Sequence, residues 1–196
     1  MVDSTRTLKI FFATNNIHKY NEINAICKQH TLIQLKFLQT SLVEIQSSDL
    51  EEIAAFSLKK CSGLVKNNPV FVEDSGLFIK QLNGFPGPYS AFIFETIGLK
   101  GILTLMEKIR DREAYFQSSI ALKIKNKVEI FTGRVKGQIS QDISATGWGY
   151  DPIFIPQSNG KYTFGELGSK KNVISHRYFA TRKMIKFLNK YVILVD

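Results

Sequence analysis

Short apolar runs alternate with amphipathic stretches along this chain. Residues 8–14, LKIFFAT, form a compact apolar and aromatic run, the pattern of a buried strand. The run ends in Thr14-Asn15-Asn16, side chains suited to capping a helix. The following IHKYNEINAICKQ sets Tyr20, Ile23, Ile26 and Cys27 at helical spacing. LIQLKFL then alternates as a strand. A second helix is predicted downstream, with Ser48 and Glu51 at capping-box spacing ahead of Leu50, Ile53, Ala54, Leu58, Cys61 and Leu64. PVFVED reads as a strand that Ser75 and Gly76 bring to a stop, and a helix with an apolar stripe is predicted over residues 99–109. AYFQSSIALKIKN and KVEIFTGRVKGQIS form an antiparallel pair turned at residues 125–127. GWGYDPIFIP is a loop leading into a short strand. SHRYFATRKMIKFLNKY is a last helix with Phe179, Ala180, Met184, Phe187 and Leu188 inward. This alternation predicts an α/β fold with a mixed sheet.

Composition narrows the class. With 196 residues and 44% hydrophobic content, the chain can build one domain with a sizeable core. It contains no internal repeat, low-complexity tract or long linker. No apolar run approaches the roughly 20 residues that span a bilayer, and MVDSTRTLKIFF lacks the apolar stretch and cleavage site of a secretory signal. Cys27 and Cys61 occupy core-type helical positions without metal-ligand spacing, as buried thiols of a reducing cytoplasm do. The net charge of +9 points to an anionic partner; nucleic acid, acidic lipid and nucleotide phosphates all fit. The excess gathers late, in Lys170, Lys171, Arg177, Arg182, Lys183, Lys186 and Lys190, the last four of which read as a solvated helix face.

Four places carry candidate chemistry. The turn Thr14-Asn15-Asn16-Ile17-His18-Lys19 joins a strand to a helix N-terminus, where free N–H groups and the helix dipole favour anions. It lacks P-loop spacing, and an ordinary capped helix is the structural alternative. Adjacent Glu73 and Asp74 point to opposite faces of their strand, so one can serve the fold while the other serves a site. Glu44 is a further acid among apolar residues; two acids converging from separate elements can hold Mg²⁺. Taken singly, Asp74 also fits a turn and Glu44 a strand residue facing water. His176 fits a cap, a packed ring or a catalyst, and Arg177 beside it suits planar acceptors or phosphate. Trp148 and Tyr150, set among glycines in GWGYDP, fit either a surface for stacking a base or a core cluster.

Taken in order, ATNNIHK, VEIQ, EDSGLF, GFPGPYSA, GWGYDPIF and KKNVISHR resemble the motifs of the inosine triphosphate pyrophosphatase family, from about Lys9 to about Lys183. The resemblance implies an elongated two-lobed α/β domain, residues 1–196, with a central twisted mixed sheet flanked by helices and an active cleft between the lobes. It implies a cytoplasmic, Mg²⁺-dependent hydrolase, usually a homodimer, with no membrane or nucleic-acid partner. The reaction implied is hydrolysis of non-standard purine nucleoside triphosphates (ITP, dITP, XTP) to the monophosphate and pyrophosphate. Rival readings are a pyrophosphatase for modified pyrimidine triphosphates and a basic nucleic-acid-binding module.

By the same resemblance, Thr14, Asn15, Asn16, Ile17, His18 and Lys19 form the phosphate loop, and Lys60 reaches the phosphates. Glu44 and Asp74 are the metal ligands, Asp74 is catalytic, and Ser75 contacts substrate. Trp148, Gly149, Tyr150 and Asp151 frame the base, and Lys171, His176 and Arg177 complete the site. Lys19, Lys60 and Lys171 are expected to neutralise the triphosphate. Three features depart from the pattern. Asn15 stands where glycine is usual, a residue that tolerates left-handed angles. His18 replaces a residue that is commonly small. Ala91 and Phe92 follow Tyr-Ser where some members have a basic residue, so one phosphate contact is absent or comes from another lysine.

Overall fold

A computed structural model describes residues 7–30, 32–66 and 68–193; the opening MVDSTR, read above for leader features, lies outside the described residues. The apolar run at the start forms β1 (Leu8–Thr14), whose side chains are buried on both faces at its C-terminal end. It pairs in parallel with β2 (Ile33–Gln39) on one side and with the start of β3 (Val70–Ile79) on the other. β4 (Pro86–Gly87), β5 (Glu113–Ile124), β6 (Lys127–Ile139) and β7 (Phe154–Pro156) complete a mixed seven-stranded sheet of order β2-β1-β3-β5-β6-β7, with β4 on β3. The long β5–β6 hairpin turns where the sequence predicts.

Helices cover the sheet. The stripe Ile23, Ile26 and Cys27 of α1 (Ile17–Cys27) and Ala180, Met184 and Leu188 of α6 (His176–Ile193) pack on Ile10, Phe12, Phe71, Ile120 and Leu122. Ala54, Leu58 and Cys61 of α2 (Leu50–Cys61) pack on Ala13, Val70, Val72 and Ala121, the alternate residues of the same strands. Strand periodicity thus sets two helices on one face and one on the other. A further cluster joins Leu77, Phe116, Ile153, Phe154 and Phe164 near the ends of β3 and β5. The short helices α3 (Ser90–Thr96), α4 (Gly98–Leu105) and α5 (Phe164–Leu167) complete the fold, which is α/β as expected.

Several local expectations shift. β3 does not end at Ser75-Gly76; it runs on to Ile79, paired with β5 throughout. Gly76 serves close approach rather than termination, because a Cβ there would sit 2.3 Å from the Gly87 carbonyl oxygen of β4. Asp49, not Ser48, caps α2, its Oδ1 accepting from the Glu51 N–H. Residues 40–47, including Glu44, form no strand. The helix read at 99–109 ends at Leu105; beyond it the Met106 carbonyl accepts from the Ile109 N–H at 3.1 Å and from the buried Arg112 guanidinium at 2.8 Å. Phe179 faces outward, 41% exposed, because Arg177 and not Phe179 takes the inward position of that turn. Arg182, Lys183, Lys186 and Lys190 lie on the exposed face of α6, as read.

One break in the sheet positions the site. β1 pairs with β3 only at Val70 and Phe71, and β4 pairs with it only at Leu77 and Phe78. Residues 72–76, which hold Glu73, Asp74 and Ser75, therefore have a strand on the β5 side alone. Backbone groups left open between diverging strands are a natural place for side chains and ligands to enter an α/β sheet.

Candidate active site

The β1–α1 turn faces this break. Thr14 Oγ1 accepts from the Asn16 N–H at 3.1 Å, and Asn16 Oδ1 accepts from the N–H groups of His18 (3.0 Å) and Lys19 (3.1 Å). The turn needs no left-handed residue at position 15: among the described residues the non-glycine positive φ angles fall at Lys66, Asn83, Lys125 and Ala145. Asparagine therefore replaces the usual glycine here without strain. So capped, the helix aims Lys19 into the break, where Nζ donates to the Glu73 carbonyl oxygen (3.2 Å) and lies 3.1 Å from Glu73 Oε2 and 3.9 Å from Asp74 Oδ1.

The paired acids divide their work as strand alternation requires. Glu73 is buried on the α6 face, where Oε1 accepts from Ser118 Oγ (2.6 Å) and Arg177 Nε (3.2 Å). Burial alone would raise its carboxyl, but the charges of Arg177 and Lys19 prevail and hold it below the usual range. Asp74 keeps some solvent contact and, among the described residues, accepts only from the Ser75 N–H, at 2.9 Å. Burial pushes its carboxyl up to about 6; Lys19 opposes this, and the negative charges of Glu44 and Glu73 add to it. Glu44 thus acts on Asp74 from the segment before α2. No group of three or more His, Cys, Asp or Glu side chains among the described residues could hold a metal. Glu44 and Asp74 nevertheless fit Mg²⁺, which is commonly held by one or two carboxylates plus water and phosphate, and the negative charge crowded at Asp74 is what a cation relieves.

A second cluster adjoins the first through Arg177. Its NH2 donates to Ser75 Oγ at 2.9 Å and its NH1 to Glu22 Oε2 at 2.5 Å. Glu22 Oε1 accepts from Trp148 Nε1 (2.8 Å) and from Lys171 Nζ (2.5 Å), and Lys171 also bonds Asp151. Burial would raise Glu22, yet Arg177 and Lys171 pull it down to about 2. Asp151 goes the other way, raised by burial despite Lys171. The Lys171 and Arg177 cations lie 5.2 and 5.3 Å from the Trp148 ring centre, and a cavity of about 240 Å³ opens beside Glu22, Trp148, Asp151, Phe164, Lys171 and Asn172. His176 stacks on Phe116 at 4.5 Å, with Nδ1 unbonded among the described residues; burial and then the nearby cations drive its pKa well down, so it is neutral. α6 can bring His176 and Arg177 this close because β6 offers Gly133, where a Cβ would stand 2.2 Å from the His176 carbonyl oxygen.

Comparison with known proteins fits this layout. Residues 10–187 match the model of the Ham1 family. The chain belongs to the Ham1 family. This Ham1 chain is 46% identical to the dITP/XTP pyrophosphatase of Korarchaeum cryptofilum over 93% of its own length and 97% of the relative's. It is 44% identical to that of Saccharolobus solfataricus, over 95% and 96%. The solved HAM1 protein of Coxiella burnetii superposes with a TM-score of 0.79 at 28% identity, covering 94% of this chain and all of that one. The Ham1 protein of Staphylococcus aureus gives 0.76 at 27% identity, covering 93% and 99%.

About half of the residues expected from the sequence of this Ham1 chain lie together. Lys19, Glu44, Asp74, Ser75, Trp148, Asp151, Lys171 and Arg177 belong to the two linked clusters. Thr14 and Asn16 build the turn, while Asn15 and Ile17 are exposed on it. Lys60 stands on the exposed face of α2, 5.2 Å above the Phe56 ring, and contacts neither cluster. Lys171 is buried at the Trp148 end, with Glu22 and Asp151 as its ion-pair partners. Tyr150 is buried with its hydroxyl on the Ser90 carbonyl at 2.9 Å, a structural tie beneath Gly149. Sequence reading missed Glu22 and Ser118. Glu22 had a signal: it is an acid one turn before Ile26, on the edge of the apolar stripe of α1.

Proposed function

We propose that this protein hydrolyses ITP, dITP and XTP to the nucleoside monophosphate and pyrophosphate, removing them from the nucleotide pool. One observation carries the reading: one face of α1 touches both ends of the site, Asp74 through Lys19, where a polyanion would sit, and Trp148 through Glu22, where a ring would stack. A purine joined through ribose to a triphosphate is a ligand with matching ends. Relatives named dITP/XTP pyrophosphatase support the same choice.

In this reading Asp74 orients a water at the α-phosphorus and accepts its proton, a task suited to a carboxyl near 6. Lys19, the N–H groups of the α1 turn and Lys60 receive the phosphates, Lys60 by swinging away from the Phe56 ring. Glu44 and Asp74 would hold Mg²⁺, which supplies charge neutralisation to the phosphates and the departing pyrophosphate. Trp148 stacks on the base. Donors of Arg177 and neutral His176 meet the oxygen at C6 of hypoxanthine or xanthine; adenine would present an amino group there instead. Such a mismatch costs about 1–3 kcal/mol per unpaired group. Guanine shares the oxygen, so this contact alone does not separate GTP. The reading also makes residues 1–196 one pyrophosphatase domain with its cleft between two lobes, a cytoplasmic homodimer. Sedimentation velocity tests the dimer.

The decisive assay measures pyrophosphate release from ITP, dITP, XTP, GTP, ATP and UTP with Mg²⁺. Preference for the first three, lost in Asp74→Asn, is expected. Preference for pyrimidine triphosphates, or an Asp74→Asn variant as fast as the wild type, would overturn the reading.

A further inference from the structure

Trp148 is held at two points by one face of α1. Glu22 takes its indole N–H, and one turn earlier His18 lays its ring parallel to the indole, with centroids 5.5 Å apart and planes 13° apart. Positions four apart on a helix stand one above the other, so the two contacts form a single support. The hydrogen bond at one edge fixes a point of the indole, and the Lys171 and Arg177 cations lie 5.2 and 5.3 Å from its ring centre; a flat ring stacked in parallel is the contact that sets the plane. Trp148 lies between Gly147 and Gly149, so neither sequence neighbour supplies a side chain to hold that plane. His18 also shares the Asn16 cap with Lys19, which ties the ring's support to the residue that reaches Asp74.

We propose that His18 is a positioning residue that sets the plane of Trp148 for stacking on the nucleobase, rather than a phosphate contact. The proposal rests on the nucleotide reading above for the identity of the stacked ligand, but not for the contact itself. His18 is exposed and makes no side-chain hydrogen bond among the described residues, so its removal leaves the core intact.

Trp148 is the protein's single tryptophan, so its fluorescence reports this site without interference. The test compares wild type, His18→Ala and His18→Phe by acrylamide quenching of the ligand-free chain and by steady-state kinetics with ITP. Loss of one aromatic pair should raise quenching about twofold and KM roughly two- to tenfold, with kcat within about twofold of wild type. His18→Phe, which keeps the ring and removes the nitrogens, should restore both. Unchanged quenching in His18→Ala overturns the proposal, as does failure of His18→Phe to restore it. A rise in KM without a change in quenching overturns it too, because His18 would then contact substrate directly. If wild type hydrolyses no nucleotide at all, the nucleotide reading falls, while the quenching arm still decides whether His18 holds the ring.

Discussion

Replacing Asp74 by asparagine should abolish hydrolysis and make the protein more stable. Burial, with Glu44 and Glu73 adding negative charge, lifts the Asp74 carboxyl from its usual 3.8 to about 6. A raised acid pKa means the folded chain binds the proton more tightly than the unfolded chain. Between about 3.8 and 6 the native state therefore holds more protons, and stability falls as pH rises through that window. A shift of about two units corresponds to about 3 kcal/mol, lost in full above pH 6. Asparagine removes the charge, keeps the shape and still accepts from the Ser75 N–H. For a chain of this size the gain corresponds to a Tm increase of roughly 6–12 °C at pH 8, shrinking to nothing below about pH 4. The assay is thermal unfolding of wild type and Asp74→Asn, without divalent cations, at half-unit steps from pH 3.5 to 8. Taking the difference between the two chains cancels every other titrating group. A variant of equal or lower stability at pH 8, or a difference that does not vary with pH, would refute the electrostatic reasoning.

Other expectations follow from the same contacts. Glu22 is depressed from 4.5 to about 2, so it contributes about 3 kcal/mol above pH 4.5, lost as pH falls toward 2; Glu22→Gln should lower Tm at pH 7 and converge with wild type in acid melts. Gly133→Ala should cost more than about 2 kcal/mol in denaturant titrations, because its Cβ would meet α6 backbone and not a flexible side chain, and the displaced His176 and Arg177 should take ITP hydrolysis with them. Chelation by EDTA should stop pyrophosphate release and added Mg²⁺ should restore it, while Glu44→Gln should raise the Mg²⁺ needed for half-maximal rate about tenfold or more.

What could be seen in the sequence was whatever short-range pattern dictates. The strand–turn–helix opening, the β5–β6 hairpin and the exposed lysines of α6 follow from local periodicity and turn chemistry, and the opposed directions of Glu73 and Asp74 follow from strand geometry alone. The motif order carried the family. What escaped depends on register between elements distant in the chain. That β3 continues past Gly76 depends on where β4 and β5 pair with it, and the cost of the Ser75-Gly76 pair is met by those ladders. Lys171 looks from sequence like any member of a basic run; only the packing of α1 and the 151–153 turn against the 168–173 segment places Glu22 and Asp151 on it. Glu22 shows why such groups hide. A carboxylate on the edge of an apolar stripe reads as the start of the solvated face until two cations from residues 149 and 155 positions later arrive to bury it. A lone charge there would be expelled, since a buried ion persists only when paired and hydrogen-bonded. Acids bordering a core stripe are therefore informative exactly where a partner must exist, and the late basic run of this chain supplied the partners: two of its seven cations turn inward to Glu22 while its last four stay in water.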